Sequence, residues 1–440
     1  MASDDLAPLI PPGTARAPAQ AQAHRGRMPR GFHRLIAAQF CSSLADNALL
    51  IVAIGLLAQR GLPPWWAPLL KLGSTVSYVL LAPFVGVLAD AWPKARLMEV
   101  MNAVKLVAVL ALLAGLHPVA AFGIVGFGAA AYAPAKYGLV TELVGPERLV
   151  RANGWIEVSV VGAALLGAVI GGALVSPQLL GQAALAPWHQ ALPAQAGLAC
   201  GPLALSLAAV AGVYGLAGLI NRRVPDSGHP LHRPPLHPVA LVRDFALANR
   251  TLWHDRDGGM SLTVTTIFWG LGATLQFAVL RWAEQVLQLP LERSAGLQAM
   301  VGIGVVLGAG AAGRYVPLAA ARRMLLAGVL LGAMMPLVAA TTHLGTAAVL
   351  LMAVGAVGGL MVVPLNALLQ HRGHVLLSPG RSIAVQGFNE NASVLAMLAV
   401  YALLLKAELP IVQIMALYGL AIAGAIGALA WRERERRPGR

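Results

Sequence analysis

The chain has 440 residues, of which 58% are hydrophobic and only 11% charged, with a formal net charge of +14. A soluble domain carries about 25% charged residues, so a chain this poor in charge cannot cover a water-facing surface, and lipid is the solvent its composition implies. The positive charge does not point to nucleic acid, because the basic residues lie in short clusters between long apolar runs.

Residues 1–33 are rich in Ala, Pro, Gln and Arg, lack the apolar core of a signal peptide, and read as a disordered cytoplasmic tail. Runs of about 20 apolar residues, the length that crosses a hydrocarbon core of about 30 Å, then recur near 34–59, 66–90, 97–116, 119–141, 154–176 and 196–220. A polar stretch, 221–259, follows. Its prolines and His229, His232, His237 and His254 read as a solvated linker between two bundles, not as a metal site. Six further runs lie near 260–286, 296–315, 322–342, 345–369, 382–405 and 410–431, before a basic tail at 432–440. The expected fold is an all-α membrane protein of twelve transmembrane helices, with one six-helix bundle over 34–220 and a second over 260–431. Cys41 and Cys200 both sit in apolar runs and read as small hydrophobic residues, offering neither a disulfide framework nor zinc spacing.

With both termini inside, most of the Lys and Arg residues fall in cytoplasmic segments, and only Arg60, Arg281, Arg293 and Lys406 fall outside. The positive-inside rule therefore puts both ends on the cytoplasmic side of the membrane.

The two halves repeat. Pro134-Ala135-Lys136 with Asn153-Gly154-Trp155-Ile156-Glu157 parallels Pro364-Leu365-Asn366 with Gln386-Gly387-Phe388-Asn389-Glu390. A parallel repeat about an axis along the membrane normal is the architecture of major facilitator transporters. Between spans 2 and 3, Gly86, Asp90, Lys94 and Arg96 resemble the loop motif of that superfamily. Gly86 permits close helix approach, and Asp90 is placed to accept hydrogen bonds from a neighbouring helix end, closing the cytoplasmic side while the cavity faces out. Together with Glu157 these are the expected gating residues.

Ionisable residues at membrane depth face a cavity or a partner. Asp46 with Asn47 and, nearly two turns earlier, Gln39 form a polar stripe in span 1. Lys105 and Lys136 are the matching cations, and Glu157, Gln276, Asn389 and Glu390 complete the set. Each reads either as part of a helix-orienting pair, such as Asp46 with Lys136, or as a wall of one substrate cavity. Lys71 and Glu142, nearer the span ends, are expected to snorkel. Carboxylates for an ammonium, lysines for a phosphate and apolar walls for a chain suit a zwitterionic amphiphile. Charge pairing alone equally fits a proton-coupled carrier of drugs or sugars.

Several runs closely resemble the bacterial lysophospholipid transporter family of the major facilitator superfamily. They include Ala38-Gln39-Phe40, Asp46-Asn47-Ala48-Leu49-Leu50, Ala82-Pro83-Phe84-Val85-Gly86, Tyr132-Ala133-Pro134-Ala135-Lys136-Tyr137-Gly138, Phe268-Trp269-Gly270 and Val363-Pro364-Leu365-Asn366. The resemblance spans about 34–431. It implies movement of lysophosphatidylethanolamine and related lysolipids from the outer to the inner leaflet, where a peripheral acyltransferase/acyl-carrier-protein synthetase re-acylates them. The expected substrate-binding set is Asp46, Asn47, Gln39, Lys136, Lys105, Gln276, Asn366, Asn389 and Glu390. Where members of that family carry Arg in span 7, this chain has Gln276, so the expectation is that Lys136 or Lys105 holds the anion or that the head-group preference differs. No cofactor, metal or nucleic acid is expected, and a monomer suffices.

Two other roles compete: proton-coupled export of an amphipathic drug, and a membrane anchor for the acyltransferase that does not itself transport. An enzyme fits poorly. Acyltransferases of this pathway use a His with an Asp five positions on, and none of the 11 histidines has one; His254, for example, is followed there by Gly259.

Overall fold

The computed structural model describes residues 28–62, 66–180, 203–228, 231, 237–289 and 291–435. Cys200, His229, His232 and nearly all of the expected N-terminal tail lie outside them. The helices are α1 Arg30–Gln59, α2 Trp66–Ala91, α3 Lys94–Leu113, α4 Pro118–Leu143, α5 Leu149–Leu174, α6 Ala204–Asn221 and α7 Pro238–His254. The second half supplies α8 Arg256–Gln285, α9 Leu291–Tyr315, α10 Leu325–Ala339, α11 Leu344–Leu376, α12 Pro379–Lys406 and α13 Ile411–Glu435. No strand occurs among the described residues.

Among these residues, eleven helical segments are long and apolar enough to cross a bilayer. The twelfth spanning helix is α3, whose hydropathy is lowered by Lys94, Arg96, Glu99 and Lys105. Two of those charges are hidden from lipid: Lys94 pairs with Glu142 of α4, and Lys105 with Asp46 of α1. Burying an ion is tolerable only when a partner and hydrogen bonds replace its water, and α3 meets that condition by packing between α4 and α6.

Packing repeats with the sequence. The pairs α1–α5, α2–α4 and α3–α6 of the first bundle correspond to α8–α12, α9–α11 and α10–α13 of the second. The bundles then meet along two equivalent seams, α2 against α12 and α5 against α9. At the first, a Cβ on Gly86 would stand 2.8 Å from Ala384 Cβ and 3.0 Å from the Gly380 carbonyl. At the second, a Cβ on Gly154 would stand 2.8 Å from the Ala309 carbonyl and 3.1 Å from Gly313 Cα. Contacts this short hold the backbones too close for any side chain, which is how small residues drive helix association in lipid.

The 221–259 stretch contains more than a tether. Its helix α7 buries Leu241, Ala248 and Leu252, leaves Val239, Val242, Leu247 and Trp253 exposed, and packs on α2, α8 and α12. Seven-residue steps put Leu241 and Ala248 on one stripe, with Leu252 four residues on. This amphipathic helix lies over the α2–α12 seam.

Candidate functional site

A cavity of about 330 Å³ lies where α2, α4 and α12 meet, with single contributions from Ser43 of α1, Val160 of α5 and Trp269 of α8. That volume is at the small end of ligand pockets. Ala82, Val85, Ala130, Ala133, Ile383 and Val394 make its walls apolar, and Lys136, Glu390, Gln386, Tyr78 and Asn391 supply the polarity.

Lys136 reaches the cavity from α4, two residues after Pro134, which bears no N–H for the helix ladder. Its Nζ stands over the Tyr137 ring, 4.1 Å from the centroid. Among the described residues it has no ion-pair partner. Opposite it, Glu390 accepts a hydrogen bond from Gln386 Nε2 at 2.7 Å, and the same amide donates to Asn366 Oδ1 at 2.5 Å. Asn366 thus positions Gln386 from behind. Glu157 is buried in α5, within electrostatic range of both Lys136 and Glu390. The indole N–H of Trp269 and the Oε1 of Gln386 are buried without a partner, a donor and an acceptor still to be satisfied. Lys136 and Asn366 occupy equivalent places in the two repeats, as do Glu157 and Glu390. The repeat thus keeps a carboxylate at this position in both halves and a cation in one, and of the two carboxylates Glu390 is the one that lines the cavity.

Asp46 and Lys105 form a separate knot inside the first bundle. Lys105 Nζ donates to both carboxylate oxygens of Asp46 at 2.9 and 2.8 Å and to Ser42 Oγ at 3.2 Å. The Tyr214 hydroxyl donates to Asp46 at 2.6 Å, and Ser42 donates to Asn102 at 2.7 Å. The rings of Tyr132 and Tyr214 flank the ammonium at 5.3 and 5.8 Å. Asp46 pairs with Lys105, so the pairing with Lys136 that the sequence allowed does not occur. Lys105 is thus committed within the first bundle, whereas Lys136 lines the cavity.

The end of the molecule that carries the loop between α2 and α3 is shut. Asp90 accepts hydrogen bonds from the backbone N–H groups of Gly380 at 2.8 Å and Arg381 at 3.2 Å, and from the Ser378 hydroxyl, at the start of α12. Beside the second seam Asn153 of α5 and Gln370 of α11 exchange amide hydrogen bonds, both at 2.9 Å. Lys94 reaches Glu142 at 2.6 Å and packs beside Gly138. Arg96 is exposed with no ion-pair partner among the described residues. On α12 residues Ser382 to Gln386 are buried, whereas none is buried from Gly387 to Val400. The bundles touch at this end and part beyond it.

Several sequence expectations move. Asn389, expected in the binding set, faces away from the cavity: it donates to Asn249 Oδ1 at 2.8 Å and accepts from Trp253 Nε1 at 3.1 Å, both on α7. One residue of helix is about 100° of rotation, so Asn389 and Glu390 cannot share a target. Gln39 is buried and donates to Ser43, and Asn47 donates to the Ser43 carbonyl at 2.8 Å, so neither lines the cavity. Gln276 is exposed seven residues beyond Trp269, on the same helix face about 10 Å further from the shut end. Glu157, expected at the gate, is buried in α5 and does not line the cavity. Glu142 does not snorkel: its side chain is 2% exposed and paired with Lys94. Tyr78, Tyr137 and Trp269 also line the cavity, and nothing in the sequence marks them for it, since aromatic residues in apolar runs look like core. Gln386 was legible in the repeat.

The profile of the Major Facilitator Superfamily matches residues 35–397. The lysophospholipid transporter LplT of Yersinia pestis (strain Pestoides F) is 39% identical over 388 residues, covering 88% of this chain and 90% of that protein; the LplT of Yersinia pseudotuberculosis serotype O:3 (strain YPIII) matches equally. Among solved structures, a bacterial homologue of the iron transporter ferroportin in its outward-facing state superposes with a TM-score of 0.67 at 14% identity, covering 93% of this chain and all of that one. A variant of the E. coli fucose:proton symporter FucP superposes at 0.68 and 13%, covering 93% and 98%. At such identities these two carry the fold alone, whereas profile and relatives together carry the lineage: the chain belongs to the lysophospholipid transporter family of the major facilitator superfamily.

Proposed function

We propose that the chain moves lysophospholipids, lysophosphatidylethanolamine foremost, from the outer to the inner leaflet of a bacterial inner membrane by alternating access. The observation that carries this reading is the pairing across one apolar cavity of a cation without an ion-pair partner, Lys136, and a carboxylate, Glu390. A lysophosphatidylethanolamine head group has the complementary charges, phosphate for Lys136 and ammonium for Glu390. Charge-assisted hydrogen bonds are roughly twice as strong as neutral ones, and a low-dielectric wall strengthens them further. The apolar residues around Val85 and Ile383 suit the single acyl chain. The name of the relatives, a lysophospholipid transporter, supports the same substrate class.

By the positive-inside rule the shut end is the cytoplasmic one and both termini are cytoplasmic. The cavity then opens outward to take lysolipid from the outer leaflet. Release inward requires the Asp90 and Asn153 contacts to part while the bundles rock about the cavity. The lipid leaves unchanged, and re-acylation falls to the peripheral acyltransferase/acyl-carrier-protein synthetase implied by the family. Because both bundles and the cavity belong to one chain, a monomer is a complete carrier.

The test is flipping in proteoliposomes, comparing lysophosphatidylethanolamine with lysophosphatidylglycerol, which lacks the ammonium. Lys136→Gln is expected to slow both by at least about tenfold, the worth of about 1.4 kcal/mol. Glu390→Gln is expected to slow the ethanolamine lipid selectively. Unaltered flipping by Lys136→Gln would overturn the assignment. Export that stops when a protonophore dissipates the gradient, with no lysolipid movement, would favour the drug-exporter reading.

A further inference from the structure

A groove of about 210 Å³ opens at the basic end of the second bundle, between the start of α10 and the end of α13, with Arg322, Arg323, Leu326, Glu433 and Arg434 on its walls. It is separate from the central cavity and from both seams. Two of its charges are already matched. Arg322 donates through Nε and Nη2 to Asp257 at 2.7 and 2.8 Å. Glu433 accepts from Arg256 Nε at 3.0 Å. Arg323 and Arg434 are exposed and have no ion-pair partner among the described residues. Arg432 and Glu435, exposed on the same turn as Arg434, are opposite in sign and outside the lining of the groove. The uncompensated charge of the groove is that of Arg323 and Arg434.

The apolar surface beside it is in register with those two arginines. Leu326, Leu330 and Leu337 are exposed on α10, at steps of four and seven that keep one helix face. Leu417, Leu420 and Trp431 form an exposed stripe on α13, which packs alongside α10. Arg323 stands three residues before Leu326, and Arg434 three after Trp431. Arg323, in the 3-10 segment Leu318–Met324 that leads into α10, and Arg434, on α13, thus each lie about one turn beyond the outermost exposed apolar side chain beside them. Because α10 begins at the end of the molecule where α13 finishes, both reach the same membrane level.

Two free guanidiniums at the polar boundary, above two parallel apolar stripes, match a phosphodiester above acyl chains. Guanidinium binds phosphate oxygens in a bidentate fork, and basic pockets between spanning helices on the cytoplasmic side take anionic head groups. We propose that this groove binds a resident anionic phospholipid, its phosphodiester held by Arg323 and Arg434 and its chains laid along the Leu326–Leu337 and Leu417–Leu420 stripes. Both helices belong to one bundle, so the site survives the rocking that empties the central cavity. The lipid it holds is a fixed companion of the carrier and not its cargo.

The experiment measures lipid retention by native mass spectrometry on the full chain in detergent, with dioctanoyl phosphatidylglycerol, dioctanoyl phosphatidylcholine and inorganic phosphate as probes. Phosphatidylglycerol is expected to bind at least tenfold more tightly than phosphatidylcholine. Arg323→Gln with Arg434→Gln is expected to remove that preference, while Arg434→Lys keeps part of it and Arg281→Gln, at the opposite end, keeps all. Equal binding of the two lipids by the unchanged chain would overturn the proposal whatever the variants do. So would undiminished phosphatidylglycerol binding by the double variant. Full displacement of the lipid by inorganic phosphate at comparable concentration would assign the groove to a free anion and sink the lipid reading.

Discussion

Asp90 caps a helix of the opposite bundle: its carboxylate accepts the Gly380 N–H at 2.8 Å across the α2–α12 seam. The first turn of a helix has unsatisfied donors and a partial positive charge, so the contact combines a cap with a charge–dipole attraction. Both are made only while this end is shut. Asp90→Ala is therefore expected to remove about 1–2 kcal/mol from the shut state and leave the open one unaffected. That shifts the equilibrium about 5- to 30-fold. Spin labels at Arg96 and Val375, exposed on opposite sides of the seam, should show a grown long-distance population. An unchanged distance distribution would contradict the assigned role.

Inside the first bundle, Lys105 is 2% exposed and Asp46 30%, so removing one charge strands the other in a poor solvent. Breaking a buried pair costs about 3–5 kcal/mol, whereas replacing both members is often neutral. Lys105→Met is expected to destabilise the chain by about 3 kcal/mol, towards the lower end because Asp46 keeps some water. The double variant Asp46→Asn with Lys105→Met should recover most of it, since Asn can still accept the Tyr214 hydroxyl. Reversible unfolding in detergent checks both. Additive losses would mean that the two side chains do not act as a pair.

How the charges sort themselves is the part that sequence could not supply. Hydropathy and the six-plus-six repeat lead to the bundles, and the Gly86–Asp90 spacing leads to the gate, because each depends on local pattern. Whether Asp46 meets Lys105 or Lys136 depends on the rotation of α1, α3 and α4 about their own axes, and apolar runs with weak amphipathicity do not reveal that. The same holds for Asn389 and Glu390. Adjacent in sequence, they face different partners because α7, hidden in a stretch that reads as linker, covers one side of α12. α3 is legible as the apolar run near 97–116, but which helices neutralise its charges is not: Lys94 pairs with Glu142 and Lys105 with Asp46 only once the bundle is assembled.

That placement of Asn389 has its own consequence. Its side chain joins α12 to α7 through Asn249 and Trp253, while Phe245 of α7 meets Phe388 edge to face at 5.3 Å. Net hydrogen-bond contributions are about 0.5–1.5 kcal/mol each. Asn389→Ala is expected to speed amide exchange across Pro238–His254 by about tenfold without weakening lysolipid binding. Lost lysolipid binding with unchanged exchange would return Asn389 to the cavity set.

At the shut end, acid should act through Asp255. Its carboxylate accepts Arg372 Nε at 3.0 Å and Nη2 at 2.5 Å, and also caps α8 by accepting the Gly258 N–H at 2.8 Å. The Arg372 hydrogen bonds hold its pKa below the ordinary 3.8. A folded-state pKa below the unfolded one means that the unfolded chain binds more protons between the two values. The stabilisation is therefore complete above the unfolded pKa, near pH 4, and is lost as pH falls through the folded one. Asp255→Asn retains a capping oxygen but cannot titrate. It should lower the midpoint of thermal unfolding at pH 7 and flatten the acid side of the stability profile below about pH 4. A variant whose stability falls with acid as steeply as the unchanged chain would place the titrating group elsewhere.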